Sequence, residues 1–159
     1  MSQPRLATPA DAAEISRLRS ENILSEPLDP LWLDRCTDQL AVRLVSGGDA
    51  RAYVVDAPDD RLASCALGLV HKVLPAPKYP KGLAVRIHAV ATDLEYRRRG
   101  HAKAALTALL DHLEDEGVTL YELYANEDSA PLYEGLGFAS DPMRMRMTRF
   151  AAPLDGRTS

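Results

Sequence analysis

The stretch EYRRRGHAKAALTALL, Glu95 to Leu110, puts three arginines directly before a glycine and then changes to helical periodicity. Ala102, Ala105, Leu106, Leu109, Leu110 and Leu113 recur on one face, which predicts a helix from about Gly100 to Glu116, ended by Gly117. A helix N-terminus carries unpaired backbone N–H groups and positive partial charge. A glycine at that point lets an anion approach the main chain closely. Arg97, Arg98 and Arg99 add charge beside it, so a bound phosphate would meet backbone donors from about Arg98 to Lys103. The segment lacks both the Gly-x4-Gly-Lys-Ser/Thr spacing of a nucleotide-binding loop and the three-glycine dinucleotide fingerprint. On these residues alone, a solvated basic turn competes with an anion site.

Outward from this stretch the flanks read as strands. LAVRIHAVAT, Leu83 to Thr92, is a near-continuous apolar run that predicts a central strand buried on both faces. TLYELYA, Thr119 to Ala125, predicts another, and a strand–helix–strand crossover makes the two parallel. Upstream, RAYVVDA and RLASCALGLVHKVL read as strands around the turn PDD, followed by a Pro-rich loop from Pro75 to Gly82. PRLAT reads as a short first strand. Thr8-Pro9-Ala10-Asp11 and Asp29-Pro30 read as helix starts. The apolar stripes Ala12, Ile15, Leu18 and Leu33, Cys36, Leu40, Leu44 follow them, and Gly47-Gly48 ends the second. A short helix is predicted over SAPLYEGLG. The final MRMRM, Met143 to Met147, alternates strictly and predicts a half-buried strand. The element order implies a mixed α/β sheet, and 159 residues suit one domain spanning 1–159.

Charge and composition remove several classes of function. The 19 Lys and Arg are outnumbered by 23 Asp and Glu, for a net charge of −4, which weighs against a nucleic-acid partner. No apolar run approaches the roughly 18 residues of a membrane span. The N-terminal MSQPRLATPADAAE lacks the apolar core of a signal peptide, so a cytoplasmic protein with no membrane partner is expected. Cys36 and Cys65 read as small buried hydrophobes. His71, His88, His101 and His112 have no metal-ligand spacing among them, so no metal is expected.

Arg97-x-x-Gly100-x-Ala102, after a buried strand and opening a helix, resembles the acyl-CoA-binding motif of the GCN5-related N-acetyltransferases (the GNAT family). APLYEGLGF, Ala130 to Phe138, resembles that family's second signature. Two motifs in the right order, separated by a helix and a strand, are far more specific than either alone. The chain departs from many relatives by Leu94 in place of a proline, Ala102 in place of a glycine, and His101 in place of an apolar residue. None of these removes a backbone donor. The resemblance implies a mixed sheet of six to seven strands with about four helices, and a splayed parallel strand pair at the cofactor site.

It also implies roles. Arg97, Arg98, Arg99, Gly100, His101, Ala102 and Lys103 would hold the pyrophosphate of acetyl-CoA. The thioester carbonyl would accept a backbone N–H from Val90-Ala91-Thr92, residues that equally suit a strand core. Tyr133 would give a hydrogen bond or proton to the departing sulfur; packing competes with that role. Asn126 falls where relatives place a residue near the pantetheine arm, and helix capping by Asn126 or Asp128 competes. His88, nine residues before Arg97, matches the offset at which some members carry a glutamate base. By alternation it shares a face with Val90 and Thr92, and a neutral imidazole takes a proton near pH 7. A pocket-wall role for His88 competes equally. Glu21 and Glu26 are further candidates for the base, and many relatives use water. Glu21, Glu26 and Trp32, with Asp29, suggest a cationic amine as acceptor.

The expected activity is therefore transfer of an acetyl group from acetyl-CoA to a primary amine of a small molecule or peptide. Transfer of another short acyl group and a non-catalytic acyl-CoA sensor are the alternatives. A homodimer is left open.

Overall fold

The computed structural model describes residues 3–24 and 26–149. Contacts divide the chain into two compact units, Met1–Asn126 and Glu127–Ser159. In the first unit, strand β1 (Arg5–Leu6) leads through a 3-10 turn (Pro9–Asp11) into helix α1 (Ala12–Asn22) and then α2 (Pro30–Arg43). Strands β2 (Ala50–Asp56), β3 (Leu62–Lys72) and β4 (Leu83–Thr92) follow. A second 3-10 turn (Leu94–Tyr96), helix α3 (His101–Asp115) and strand β5 (Leu120–Leu123) complete it. The second unit holds the short helix α4 (Ala130–Gly135).

The helix starts are built as their residues dictate. The Thr8 N–H donates to Asp11 Oδ2 at 2.8 Å, and Asp29 Oδ1 accepts from the Trp32 N–H at 3.0 Å, each satisfying an otherwise orphaned donor. Arg5 links both ends of this corner, reaching Asp11 and Asp56 at 2.8 Å each.

The sheet runs β1-β2-β3-β4-β5. Neighbours are antiparallel up to β4, and β4 pairs β5 in parallel, as the crossover through α3 requires. Helices α1 and α2 cover one face, where Ile15, Leu18, Leu40 and Leu44 meet Ala52, Val54, Cys65, Leu67, Ala89 and Ala91. Burial pushes the Cys65 thiol up to about 12, so it packs as an inert hydrophobe. Helix α3 covers the opposite face with Ala105, Leu106, Leu109 and Leu113 fully buried. Gly68 makes that approach close: a Cβ there would lie 2.9 Å from Val85 Cγ2 and 3.7 Å from Leu109 Cδ2.

Three expectations need correction. The sheet has five strands among the described residues, not six to seven. Met143–Met147 forms no strand, and Met143, Met145 and Met147 are 84%, 93% and 74% exposed. Period-two alternation states which side chains would share a face; it does not supply the neighbouring backbone that makes a strand. The third correction concerns His88. Leu67 stands opposite Ala89 while Gly68 stands opposite Ile87, so β4 carries one extra residue at His88. Such a bulge resets the alternation. His88 therefore falls on the α1–α2 face with Ala89 and Ala91, and Val90 and Thr92 fall on the other.

Candidate active site

Strand β5 pairs β4 only from Ala84 to Ile87. Beyond Ile87, β4 continues to Thr92 with no sheet strand along its outer edge among the described residues. The opening starts at the bulged residue, His88. The Asp93 N–H donates to Ala63 O at 2.8 Å. Bonded pairs alternate along an antiparallel ladder, so the next bonded pair back is Ala91 opposite Cys65. The amides of Val90 and Thr92 consequently point to the open edge, while that of Ala91 belongs to the β3 ladder.

The end of β4 is anchored by charge. Asp93 accepts from the Glu95 N–H at 3.0 Å and from Arg17 Nη1 at 3.0 Å. Burial alone would raise its pKa, yet these bonds and the nearby guanidinium of Arg17 hold the carboxyl below its ordinary value. Arg97 donates through Nε to Thr92 O (3.3 Å) and through Nη2 to Asn22 Oδ1 (2.7 Å), tying the turn to the end of α1.

The turn into α3 contains two left-handed residues, Arg98 at φ 64° and Gly100 at φ 79°. Gly100 is the N-cap, and no side chain caps the helix. The first helical bond runs from the Ala104 N–H to Gly100 O at 3.0 Å. The N–H groups of His101, Ala102 and Lys103 therefore have no partner within the helix. Nothing lies within 4 Å of where a Gly100 Cβ would sit, so the approach is open. Arg98, Arg99 and Lys103 are exposed around it, with Arg99 over the Tyr96 ring at 5.4 Å. His101 Nε2 is buried without a hydrogen-bond partner. Burial first, then the charge of Arg99, lowers its pKa. An oxyanion fits this donor set, which has three free amides, cationic side chains and no carboxylate cap.

His88 lies on the other side of the opening. It is half-buried and lines a cavity of about 150 Å³ with Ile15, Arg19, Cys36, Arg43 and Leu67 among its walls. Burial, then the charges of Arg19, Arg86 and Arg43, lowers the His88 pKa. The cavity was not legible in advance. Its signal is Arg19, a cation on the inward stripe Ala12-Ile15-Ser16, where periodicity calls for an apolar residue.

The remaining candidates lie elsewhere. Glu21 is exposed and pairs with Arg17 at 2.9 Å. Glu26 is exposed. Trp32 is 50% exposed and stacks on Arg35 at 4.9 Å. None of these three lines the cavity of His88. Asn126 is exposed at the end of the first unit. In the second unit Tyr133 is buried, edge-to-face with Phe138 at 6.0 Å, and burial raises its pKa.

A parallel strand pair that opens just ahead of a glycine-capped helix is the frame the resemblance implies for an acyl-CoA-dependent transferase. The model of the acetyltransferase (GNAT) family matches residues 17–138, and the chain belongs to that family. Solved structures agree in fold. A GCN5-related N-acetyltransferase from Ralstonia eutropha JMP134 is 21% identical, with 92% of this chain and 97% of that chain covered and a TM-score of 0.76. A predicted acetyltransferase with acetyl-CoA from Clostridium acetobutylicum is 16% identical, with coverage of 93% and 96% and a TM-score of 0.80. A ribosomal-protein-alanine N-acetyltransferase from Brucella melitensis biovar Abortus 2308 is 21% identical, with coverage of 94% and 100% and a TM-score of 0.65. At such identities the likeness speaks for fold alone. A search among curated proteins found no match.

Proposed function

We propose that residues 1–159 act as one catalytic domain that transfers an acetyl group from acetyl-CoA to a primary amine of a small molecule or peptide by direct attack. The observation that carries this reading is the end of the β4–β5 pairing at Ile87, together with the N-terminus of α3, which Gly100 caps without a side chain. In this reading the amides of His101, Ala102 and Lys103, with Arg98 and Arg99, receive the pyrophosphate. Arg97 holds the turn in place. The amides of Val90 and Thr92 lie along the acyl arm, and one of them donates to the thioester oxygen, where charge grows during attack.

The amine must be neutral to attack. As its nitrogen bonds to the carbonyl carbon, its proton passes to His88, and the C–S bond breaks. The thiolate leaves with a proton from the Tyr133 hydroxyl. The burial and cations that keep His88 neutral also make it a weaker base, so it suits an amine already partly deprotonated in the cavity.

Thiol release from acetyl-CoA over a panel of polyamines, aminoglycosides, amino acids, peptide N-termini and lysine peptides tests the reading. Acceptor-dependent release with a stoichiometric acetylated amine is expected. Tight acetyl-CoA binding with no turnover on any amine would leave a sensor instead. A clear preference for propionyl-CoA would change the donor but keep the chemistry.

A further inference from the structure

The cavity of His88 has an electrostatic character that an amine site does not need for its amine. No carboxylate among the described residues lines it. Its cations are Arg19 from α1 and Arg43 from α2. Arg43 is already held by Asp49 at 2.6 Å. Arg17 and Arg51, half-buried like Arg19, also hold carboxylates, at 2.7 and 2.9 Å. Arg19 has no carboxylate within ion-pair distance among the described residues, and its hydrogen-bond contact is Cys36 Sγ at 4.0 Å. A half-buried guanidinium left with only a thiol for a partner is costly unless an anion completes it. Ile15, Leu40, Leu67 and Leu69 form the apolar part of the cavity, and Ser16 and Gln39 complete it.

We infer that this cavity binds the acceptor through a negatively charged group, and that the acceptor is a small primary amine carrying a carboxylate and an apolar side chain, of the amino-acid class, with Arg19 receiving the carboxylate. The inference rests on the reading of the chain as an acyl-CoA-dependent N-acyltransferase and adds the class of acceptor to it. Arg19 fits a carboxylate with two parallel N–H donors. The aliphatic walls take the side chain. The amine is left facing His88, the imidazole in the cavity wall. The charged and titratable groups bearing on that imidazole are Arg19 and Cys36 from the helices, Arg43 with its Asp49, and Arg86 on its own strand, which stacks on Tyr124 at 4.4 Å. A polyamine would bring its second positive charge among these cations. The α-carboxylate of an amino acid offsets them. The exposed Glu21 and Glu26, which suggested a cationic acceptor, do not reach this cavity.

The test compares three acceptors that differ in one group: L-leucine, L-leucinamide and isopentylamine. Acetyl transfer is measured with each, and acetyl-CoA binding is measured separately by calorimetry. L-Leucine is expected to exceed isopentylamine in kcat/KM by about ten- to a hundredfold, the usual worth of a charge-assisted hydrogen-bond pair. 4-Methylpentanoate, which keeps the carboxylate and lacks the amine, is expected to inhibit competitively against L-leucine. In Arg19→Gln the leucine-to-isopentylamine ratio should collapse towards one and the inhibition should vanish. Arg19→Lys, which keeps the charge and loses the fork, should keep part of both. Retained acetyl-CoA binding shows that each variant is folded. Failure of the wild type to bind acetyl-CoA would overturn the enzyme reading and this inference together. Normal acetyl-CoA turnover with isopentylamine or a polyamine preferred, or a preference for leucine that survives Arg19→Gln, would overturn the inference alone.

Discussion

The two halves of β4 make different use of one backbone. From Ala84 to Ile87 it is paired on both sides, with β3 and with β5. Past the unpaired His88, from Ala89 to Thr92, it is paired with β3 only. The composition barely changes between the halves, LAVRI against HAVAT. What changes is one extra residue and the end of β5. The first half is structural in every direction. The second has one edge in the fold and one edge free to meet a ligand. A single strand can thus position a site rigidly and still offer unpaired amides, because the rigidity comes from the neighbour on the other side.

The largest expected effect concerns what the open half cannot supply, a proton for the leaving thiolate. Tyr133→Phe keeps the ring that meets Phe138 and removes only the hydroxyl. The reading predicts a fall in kcat of about 10²–10⁴-fold with acetyl-CoA affinity little changed. An unaltered kcat on a substrate limited by chemistry would return Tyr133 to packing.

The sharpest break of the comparison is a pair of prolines. Ala91→Pro removes a ladder amide and should lower stability by about 3 kcal/mol in urea titration. Val90→Pro removes an amide from the open edge, where the sheet loses no bond. It should stay folded and lose acetyl-CoA affinity or kcat. Equal destabilisation by the two would show that the open edge is not open.

At the junction, His88→Gln separates base from wall. Log(kcat/KM) is expected to rise with pH through a step below the ordinary histidine value of about 6.5, since burial and the charges of Arg19, Arg86 and Arg43 lower the His88 pKa. His88→Gln should remove that step and reduce the rate at neutral pH by roughly a hundredfold, the low end for a lost base. A step that instead moves with the pKa of the amine and ignores the substitution would make His88 a cavity wall. Stability carries the same sign. The folded state favours neutral His88, so its contribution is present above about pH 6.5 and is lost as pH falls through the lowered folded value. The urea midpoint should fall on acidification, and less so in His88→Gln.

The smallest effect lies just past the open half. Gly100→Asp and Gly100→Asn both place a side chain on a residue at φ 79°, and both residue types tolerate that conformation. Only Asp adds a negative charge. Calorimetry should show acetyl-CoA binding weaker in Asp than in Asn by roughly tenfold. Equal affinities would move the pyrophosphate away from α3.

Much of this was legible in the chain itself. The bounds of β4 and the span of α3, the parallel β4–β5 pair and the glycine cap all follow from local signals: apolar runs, a change of period, and a residue that tolerates positive φ. The unpartnered amides at the start of α3 were legible for the same reason, since they are backbone groups of consecutive residues. What depended on a neighbour was not. MRMRM has the pattern of a strand and lacks the pairing. Strict alternation puts His88 with Val90 and Thr92, and one bulged residue puts it with Ala89 and Ala91 instead. Arg97 reads as a ligand for phosphate, and its guanidinium is bonded to Thr92 and Asn22. The cavity of His88 joins residues of α1, α2, β3 and β4 that are far apart in sequence. Sequence alone determined where main-chain amides are left without helical partners, because that is a property of one turn. The tertiary structure decided which cation stands beside His88, because charge in a cavity is set by the groups that packing brings together and by those already paired away.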